Sequence, residues 1–453
     1  MLFSLTNPEV ANLMMGIFLF AVLLGVPIAF TLMAMGLGFG YYAYFDPTKM
    51  EHLFDNRIFQ LFVQNTYTVM DNNVLTAVPL FLFMGYLVER AGIVAKLFFA
   101  IRLASHRLPA SMAVAALITC TLFSTATGII GAVVTLMGLL AWPAMVKAGY
   151  DKKFASGIIC AGGCLGILIP PSIMLIVYSV IAQLSPLRLF AAAIFPGLML
   201  AGLYIGYAVF RAWLNPSIAP KPAAEEIPPT AVILKEVLIS FLPLFSLIIL
   251  VLGTILAGIA TPAEAAAVGA FGALVLSYFY KTLKWKNFKE SVFLTAKTTA
   301  MIMWLFIGSW TFASVFSYLG GHEVFEHFFK SLDLQPWQFL VITQIIIFLL
   351  GWPLEWTEIL IIFVPIFLPL VEFFGVNPYF FAMLIALNLQ TSFLTPPMAM
   401  SAYYLKGVQS KNVELMEIFR GIMPFLAIVI LAMVLMYWFP GIALWLPEKL
   451  FAI

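Results

Sequence analysis

Apolar residues run along this chain in long blocks that short polar segments separate. Blocks of the length of a membrane-crossing helix are predicted near 9–25, 27–45, 73–89, 154–184, 187–210, 237–257, 262–280, 295–318, 379–405 and 418–440. A run of about 20 mainly apolar residues is typical of a helix that spans a bilayer. The pattern therefore predicts an all-α polytopic membrane protein.

Two other apolar stretches, 109–146 and 336–374, are much longer and carry helix-breaking residues at mid-length. We interpret each as a re-entrant helical hairpin that leaves the membrane on the side where it entered. Two short segments, 91–107 and 321–333, mix apolar with charged residues. Such a mixture predicts arm helices that lie along the membrane surface.

An internal repeat organises these elements. Shifting the sequence by 226 residues aligns 143–178 with 369–404 without a gap, and Pro170-Pro171 then coincides with Pro396-Pro397. An odd number of spans separates the equivalent segments, so the two copies are predicted to be inverted in the membrane. Inverted repeats with broken helices are typical of secondary transporters.

The repeat predicts the domain organisation. The first repeat covers 1–213, a loop rich in proline and alanine covers 214–236, and the second repeat covers 237–453. Within the first repeat we predict scaffold helices over 1–90, a broken helix over 154–184 and a helix over 187–210. Within the second repeat the corresponding segments are helices over 237–318, a broken helix over 379–405 and a final helix over 418–440.

Composition and charge narrow the class of protein. Hydrophobic residues make up 63% of the chain, charged residues 10%, and the mean hydropathy is +1.05, whereas soluble proteins carry about 25% charged residues. A net charge of +2 leaves no footprint for nucleic acid. If 90–107 is cytoplasmic, 18 of the 23 lysines and arginines lie inside, as the positive-inside rule requires. Both termini are then expected in the periplasm.

The proline pairs are predicted to unwind the helices that contain them, because proline lacks an N–H and clashes with the preceding turn. Carbonyl groups before each break would be free for a cation. The helix that begins after each break would offer N–H groups to an anion. One site could thus hold a carboxylate together with a coupling ion, although a plain proline kink remains the alternative.

Polar residues near the breaks and the hairpin tips are the candidate site residues. The first tip is rich in small and hydroxyl residues over 123–128, which could let the backbone approach an ion closely or could serve only tight helix packing. The second tip carries Glu355 and Glu358, which could bind a cation, couple to protons, form a salt bridge, or simply be solvated. Ser172, Asn388 and Gln390 lie beside the breaks and are candidates for substrate contact, with interhelical hydrogen bonding as the alternative for the last two.

At this point several motifs resemble a known family. AGGCLGILIPPSIMLIVYS (161–179), GIATPAEAAAVGAFGALV (258–275) and NLQTSFLTPPMAMSAYYLKGV (388–408) are similar to the large permease subunit, called DctM-like, of TRAP (tripartite ATP-independent periplasmic) transporters. The resemblance covers essentially the whole chain. It implies an elevator-type transporter in a bacterial inner membrane, with a small four-helix membrane subunit and a periplasmic binding protein as partners. The substrate implied is a small organic acid.

The resemblance also implies two sodium sites, one between each hairpin tip and the matching broken helix, and no other cofactor. The first site would involve Ser124, Thr125, Thr127, Gly128, Gly162, Gly163 and Pro170. The second would involve Gly351, Trp352, Thr357, Thr391, Ser392 and Thr395.

Other functions remain open at this stage. A stand-alone ion antiporter or channel would work without partner subunits, and a proton could replace sodium as the coupling ion. An intramembrane enzyme is not predicted, because the sequence offers no credible constellation of nucleophile and base or of metal ligands, and it lacks a Walker A motif.

Overall fold

The computed structural model describes residues 6–48, 50–220, 229–409 and 413–451. Throughout these ranges the chain folds into helices, turns and loops, and no strand occurs. The predicted all-α class is confirmed. Residues 221–228 of the predicted inter-repeat loop lie outside the described residues, as do both ends of the chain.

The first half of the chain forms helices α1 to α10. They are α1 (Asn7–Leu23), α2 (Ile28–Ala43), α3 (Arg57–Met70), α4 (Ala77–Arg90), α5 (Ile93–Ala104), α6 (Ser111–Thr127), α7 (Ile130–Lys147), α8 (Lys152–Cys164), α9 (Ile173–Ala182) and α10 (Pro186–Leu214). Short 3-10 turns at Leu53–Asp55, Leu165–Ile167 and Pro216–Ile218 accompany them.

The second half forms helices α11 to α21. They are α11 (Thr230–Leu256), α12 (Pro262–Phe279), α13 (Trp285–Tyr318), α14 (Gly321–Ser331), α15 (Pro336–Leu350), α16 (Trp356–Glu358), α17 (Val364–Phe373), α18 (Pro378–Leu394), α19 (Met400–Val408), α20 (Leu415–Trp438) and α21 (Gly441–Leu450). A π-helical turn, Ile359–Phe363, joins α16 to α17.

Seven of the described helices are long and apolar enough to cross a bilayer. An eighth span arises if α4 and α5 are taken together, although the two are bent by 64° at the break between them. This bend turns α5 away from α4, where an arm helix was predicted. The predicted spans at 9–25, 27–45, 154–184 and 379–405 contain shorter helices. Their helices α1, α2, α9 and α18 each have 10–17 residues.

Four features differ from the sequence prediction. The helices α3 and α21 were not predicted, because polar residues interrupt α3 and α21 is only 10 residues long. The helix α13 begins at Trp285 rather than near 295, since its first turns carry exposed lysines that lower the local hydropathy. The helix α11 begins at Thr230, so residues 230–236 belong to a helix and not to the predicted loop.

The helices pack into two groups that small residues hold together. In the first group α2 lies along α13, where a Cβ at Gly308 would come within 2.8 Å of the Ala29 carbonyl oxygen. In the second group α8 lies along α20, where a Cβ at Gly157 would come within 2.1 Å of the Gly421 carbonyl oxygen. Such close backbone approach is how helices associate in lipid, where burial of apolar surface gives little driving force.

The first group contains α1–α4 and α11–α13, and the second contains both hairpins, both broken helices, α10 and α20. The arm helices α5 and α14 link the groups, since α5 contacts α6 and α11 while α14 contacts α13 and α17. Direct contacts between the groups include those of α4 with α6 and α9, of α11 with α6 and α10, and of α13 with the π-helical turn. The hairpin tips and the breaks therefore lie within the second group, close to the boundary with the first.

Candidate functional site

Both predicted broken helices are confirmed. The first break separates α8, with its 3-10 extension, from α9, and the second separates α18 from α19. Each break contains its proline pair, and the Pro170–Pro171 and Pro396–Pro397 peptide bonds are cis. Because proline cannot donate a backbone hydrogen bond, neither helix continues through its pair.

A serine hydroxyl closes each break, although the two serines are not at equivalent positions of the repeat. The Ser172 hydroxyl donates to the Ile167 carbonyl oxygen at 2.5 Å, and the Ser401 hydroxyl donates to the Phe393 carbonyl oxygen at 2.6 Å. Ile167 and Phe393 are equivalent in the 226-residue repeat. These two carbonyl groups, which the sequence suggested would be free, are thus engaged in this conformation.

The tip of the first hairpin lies against the first break. The helix α6 ends at Thr127, and Gly128 turns the chain with a φ of +62°, a conformation that favours glycine. A Cβ at Gly128 would lie 3.6 Å from the Ile173 side chain at the start of α9. A Cβ at Gly166 would lie 3.0 Å from the Ser124 Cβ. The hairpin tip therefore meets both sides of the break.

The hydroxyl groups of the first tip differ in their hydrogen bonding. Thr125 donates to the Thr121 carbonyl oxygen at 2.7 Å, and Thr127 donates to the Phe123 carbonyl oxygen at 3.1 Å. The Ser124 hydroxyl is buried and has no hydrogen-bond partner among the described residues. Buried polar groups are normally paired, so Ser124 is an exception in this conformation, as are several buried hydroxyl groups elsewhere in the described chain, among them Thr119, Tyr178 and Ser277.

The other residues predicted for the first site, Gly162, Gly163 and Pro170, are also buried. A Cβ at Gly162 would come within 2.9 Å of the Cys120 sulfur on α6, and one at Gly163 within 2.3 Å of Val134 on α7. These two glycines therefore allow α8 to approach both arms of the hairpin. Their demonstrated part in the structure is close packing.

The tip of the second hairpin makes the reciprocal contact with α18. A Cβ at Gly351 would lie 2.9 Å from the Ser392 Cβ. In the first repeat the serine is on the hairpin and the glycine is on the broken helix, whereas here the two residue types are exchanged. Trp352 differs from the other candidates, since its side chain is 42% exposed and lies against Phe348.

The hydroxyl groups near the second tip are buried. On α18, Ser392 donates to the Leu389 carbonyl oxygen at 2.8 Å and Thr395 to the Thr391 carbonyl oxygen at 2.7 Å. The Thr391 hydroxyl donates to the Asn388 side-chain oxygen at 3.2 Å. The Thr357 hydroxyl has no partner among the described residues, as is also true of Ser124 in the first hairpin.

The two glutamates of the second hairpin are in different surroundings. Glu358 is only 6% exposed, and its Oε2 has no hydrogen-bond partner in the described part of the chain. Glu355 is half-buried at the N-cap of α16. Neither forms an ion pair with a described residue. The π-helical turn follows Glu358 directly, and turns of this type are frequent at functional sites.

The polar residues of α18 have separate partners. The Asn388 amide donates to the carbonyl oxygen of Gln344 at 2.7 Å and to its side-chain oxygen at 2.8 Å. Asn388 thus joins α18 to α15 in this conformation. Gln344 was not among the predicted site residues, although it is a lone amide in an apolar helix. The Gln390 side chain is fully buried, and both of its amide atoms lack partners among the described residues.

The chain matches a known protein family over almost its whole length. A family model described as "Tripartite ATP-independent periplasmic transporter, DctM component" matches residues 15–442. The chain belongs to this family. It is a multi-span component of a bacterial TRAP transporter and not an enzyme, as the sequence motifs indicated.

Named relatives of this permease transport different substrates. The C4-dicarboxylate TRAP transporter large permease DctM of Pseudomonas aeruginosa is 30% identical over 85% of this chain and 88% of that protein. The sialic acid TRAP transporter large permease SiaM of Vibrio cholerae is 30% identical over 84% of this chain and 87% of that protein. The isethionate TRAP transporter permease DctMQ of Oleidesulfovibrio alaskensis is 28% identical over 84% of this chain but 59% of that longer protein.

Solved structures support the fold. The YdaH transporter of Alcanivorax borkumensis matches with a TM-score of 0.61 and 16% identity, over 95% of this chain and 98% of that one. The MtrF protein of Neisseria gonorrhoeae matches with a TM-score of 0.54 and 14% identity, over 96% of this chain and 94% of that one. At such low identity these similarities concern the fold alone.

Proposed function

We propose that this permease imports a small organic acid by sodium-driven symport. The observation that carries the proposal is the reciprocal contact of each hairpin tip with the broken helix of its own repeat. The first contact joins Ser124 to Gly166, and the second joins Gly351 to Ser392. Each hairpin also holds a buried hydroxyl that has no hydrogen-bond partner in the described part of the chain. Two equivalent oxygen-lined contacts of this kind suit two monovalent cations.

The residues proposed to hold the cations are those at the two contacts, together with Thr357, which lies in α16 just after the second tip. Ser124 on the first hairpin and Thr357 on the second supply hydroxyl oxygens with unused lone pairs. The neighbouring threonine hydroxyls donate to backbone carbonyl groups, so their lone pairs remain available as acceptors. Sodium prefers such neutral oxygens, and its binding would pull each hairpin tip onto its broken helix.

The substrate carboxylate would bind between the two contacts. The α9 helix begins at Ile173, beside the first tip, and the N–H groups at a helix N-terminus favour an anion. Gln390 is the second candidate, because a buried amide with no partner is costly unless a ligand satisfies it. The names of the relatives, which include C4-dicarboxylate, sialic acid and isethionate, support an acidic substrate without selecting one.

We further propose that the second group of helices moves as a unit against the first, as in an elevator. Hairpins, broken helices and the proposed ligands all belong to the second group, and backbone contacts such as Gly157 with Gly421 make that group tightly packed. The bent arm helices α5 and α14 would connect the moving group to the stationary one.

A periplasmic binding protein and a small membrane subunit would complete the system. The family description names a tripartite transporter. The experiment is uptake into proteoliposomes that contain the permease and its small subunit, with the loaded binding protein outside. Uptake should require the binding protein and an inward sodium gradient. Ion transport by the permease alone would instead favour the antiporter or channel function.

Proton coupling is a second candidate, and the burial of Glu358 without a cationic partner is the observation that favours it. In the same proteoliposomes an inward proton gradient without sodium would then drive uptake. Sodium coupling is refuted if uptake persists at full rate in sodium-free buffer.

A further inference from the structure

We propose that this permease binds the phosphate group of an anionic phospholipid in a basic groove between α4 and α13. The groove has a volume of about 610 Å³ and is lined by Arg90, Lys286, Lys289, Glu290, Phe293 and Leu294. Three of these six residues are cationic and one is acidic. The groove is separate from the hairpin tips and the breaks.

The position of the groove places it at the membrane–water interface. The helix α13 has 34 residues, so it is about 51 Å long, whereas the hydrocarbon core is about 30 Å thick. The first turns of α13, which carry the lysines, therefore project from the core. Tyr278, Phe279 and Trp285 are each more than two-thirds exposed nearby in the chain, and aromatic side chains favour this level of the bilayer.

The charges of the groove are incompletely neutralised by the protein. The Arg90 guanidinium lies 3.5 Å from the Glu290 carboxylate, which is longer than the 2.7–2.9 Å of a strong charge-assisted bond. Neither Lys286 nor Lys289 forms an ion pair within the described ranges. Lys289 instead lies over the Phe293 ring, 5.7 Å from its centroid. The groove therefore presents excess positive charge to a phosphate.

A mainly apolar face of α13 runs from the groove toward the middle of the membrane. Phe293, Met301 and Trp304 are 64%, 49% and 47% exposed, and their spacing places them on one face of the helix. Exposed Lys297 lies on the same face between Phe293 and Met301, where its long stem can cover apolar surface while its ammonium group reaches toward the headgroup level. From Phe293 to Trp304 the helix rises about 16 Å. A headgroup in the groove would therefore have a matching surface for its acyl chain. This continuity favours a phospholipid over a free phosphate ion.

The test is equilibrium binding of fluorescent phosphatidylglycerol to the purified full chain in zwitterionic detergent. We expect saturable binding that exceeds the binding of fluorescent phosphatidylethanolamine. Each basic residue near an anionic phosphate contributes about a fivefold factor, so the double variant Lys286→Gln, Lys289→Gln should bind about thirtyfold more weakly. The double variant Lys286→Arg, Lys289→Arg should retain binding.

The matched control is the double variant Lys147→Gln, Arg211→Gln, which removes two exposed charges from the same predicted side of the membrane, and its affinity should change less than twofold. Equal binding of both lipids, or equal loss in the control, would overturn the proposal. So would competition by inorganic phosphate at the affinity of the lipid, since the site would then bind free phosphate. Loss of the lipid when the small membrane subunit is added would identify the groove as a protein interface instead.

Discussion

Substitution of Gly351 by alanine tests whether the second hairpin tip must seat on its broken helix. The Gly351 backbone has a φ of −64° and a ψ of −8°, so alanine is tolerated locally and the effect isolates the contact. The new Cβ would lie 2.9 Å from the Ser392 Cβ and 3.2 Å from its Cα. Carbon atoms prefer about 3.5–4.0 Å, so the tip must withdraw by roughly 0.6–1 Å.

Overpacking of this kind costs about 1–3 kcal/mol. If this cost falls on the state in which the second tip contacts its broken helix, that state becomes about 5- to 150-fold less populated. Sodium binds this state in our proposal, so the sodium concentration for half-maximal uptake should rise by a comparable factor. The assay is uptake in proteoliposomes with the binding protein and the small subunit, measured over a series of sodium concentrations at constant ionic strength.

A glycine on the neighbouring helix provides the control. Gly407 lies in α19, and no atom of the described residues lies within 4 Å of a Cβ built there, so Gly407→Ala should leave the sodium dependence unchanged. Addition of Ser392→Gly to Gly351→Ala removes the opposing Cβ and should restore the thermal unfolding midpoint that the single change lowers. The reasoning is refuted if Gly351→Ala and Gly407→Ala have the same sodium dependence and the same midpoint.

Four further changes test other parts of the structure. Asn388→Ala removes both hydrogen bonds to Gln344 and should destabilise the purified chain by about 1–3 kcal/mol in thermal or denaturant unfolding. Asn65→Ala should cost less, because the hydrogen bond from Asn65 to Thr311 is 3.4 Å long. Ser401→Ala should cost about 0.5–1.5 kcal/mol in the same measurement, because it frees the Phe393 carbonyl oxygen; an unchanged midpoint would contradict the closing role of the hydroxyl. Gly157→Ala places a Cβ 2.1 Å from the Gly421 carbonyl oxygen and should reduce the yield of monodisperse protein in size-exclusion chromatography. Gly202→Ala is the control, because its Cβ would have no described neighbour within 4 Å. Burial lowers the pKa of His322 in the arm helix α14. The stability that the neutral, buried imidazole supports is therefore fully present above pH about 6.5, and it is lost as the pH falls through the lowered pKa of the folded state. His322→Gln should weaken this pH dependence of the unfolding midpoint.

The breaks and hairpins could be predicted because their causes are local in the sequence. A proline pair interrupts a helix wherever it occurs, and the 226-residue register identified Pro170-Pro171 and Pro396-Pro397 as equivalent. The length of the two apolar stretches and the helix-breaking residues at their middle located both hairpins. The amphipathic helix α3 was missed because its polar residues break the apolar run, and its start depends on a cap in which Asn56 accepts from the Ile58 N–H at 3.0 Å.

The partners of the site residues could not be predicted, because they are set by packing between distant segments. The pairing of Asn388 with Gln344 joins positions 44 residues apart. The reciprocal contacts of Ser124 with Gly166 and of Gly351 with Ser392 require the helices to be placed in three dimensions. Likewise, the sequence left open whether Glu358 is solvated, and only the fold shows it to be buried.

Sodium binding to the purified permease tests the central claim most directly, because it needs neither the substrate nor the partner subunits. A ligand that binds only the folded state raises the unfolding midpoint as its concentration increases. We expect sodium chloride to raise the midpoint above that in equimolar potassium chloride, and we expect Ser124→Ala combined with Thr357→Val to abolish the difference. Equal midpoints in the two salts for the unaltered chain would contradict sodium sites at the hairpin tips.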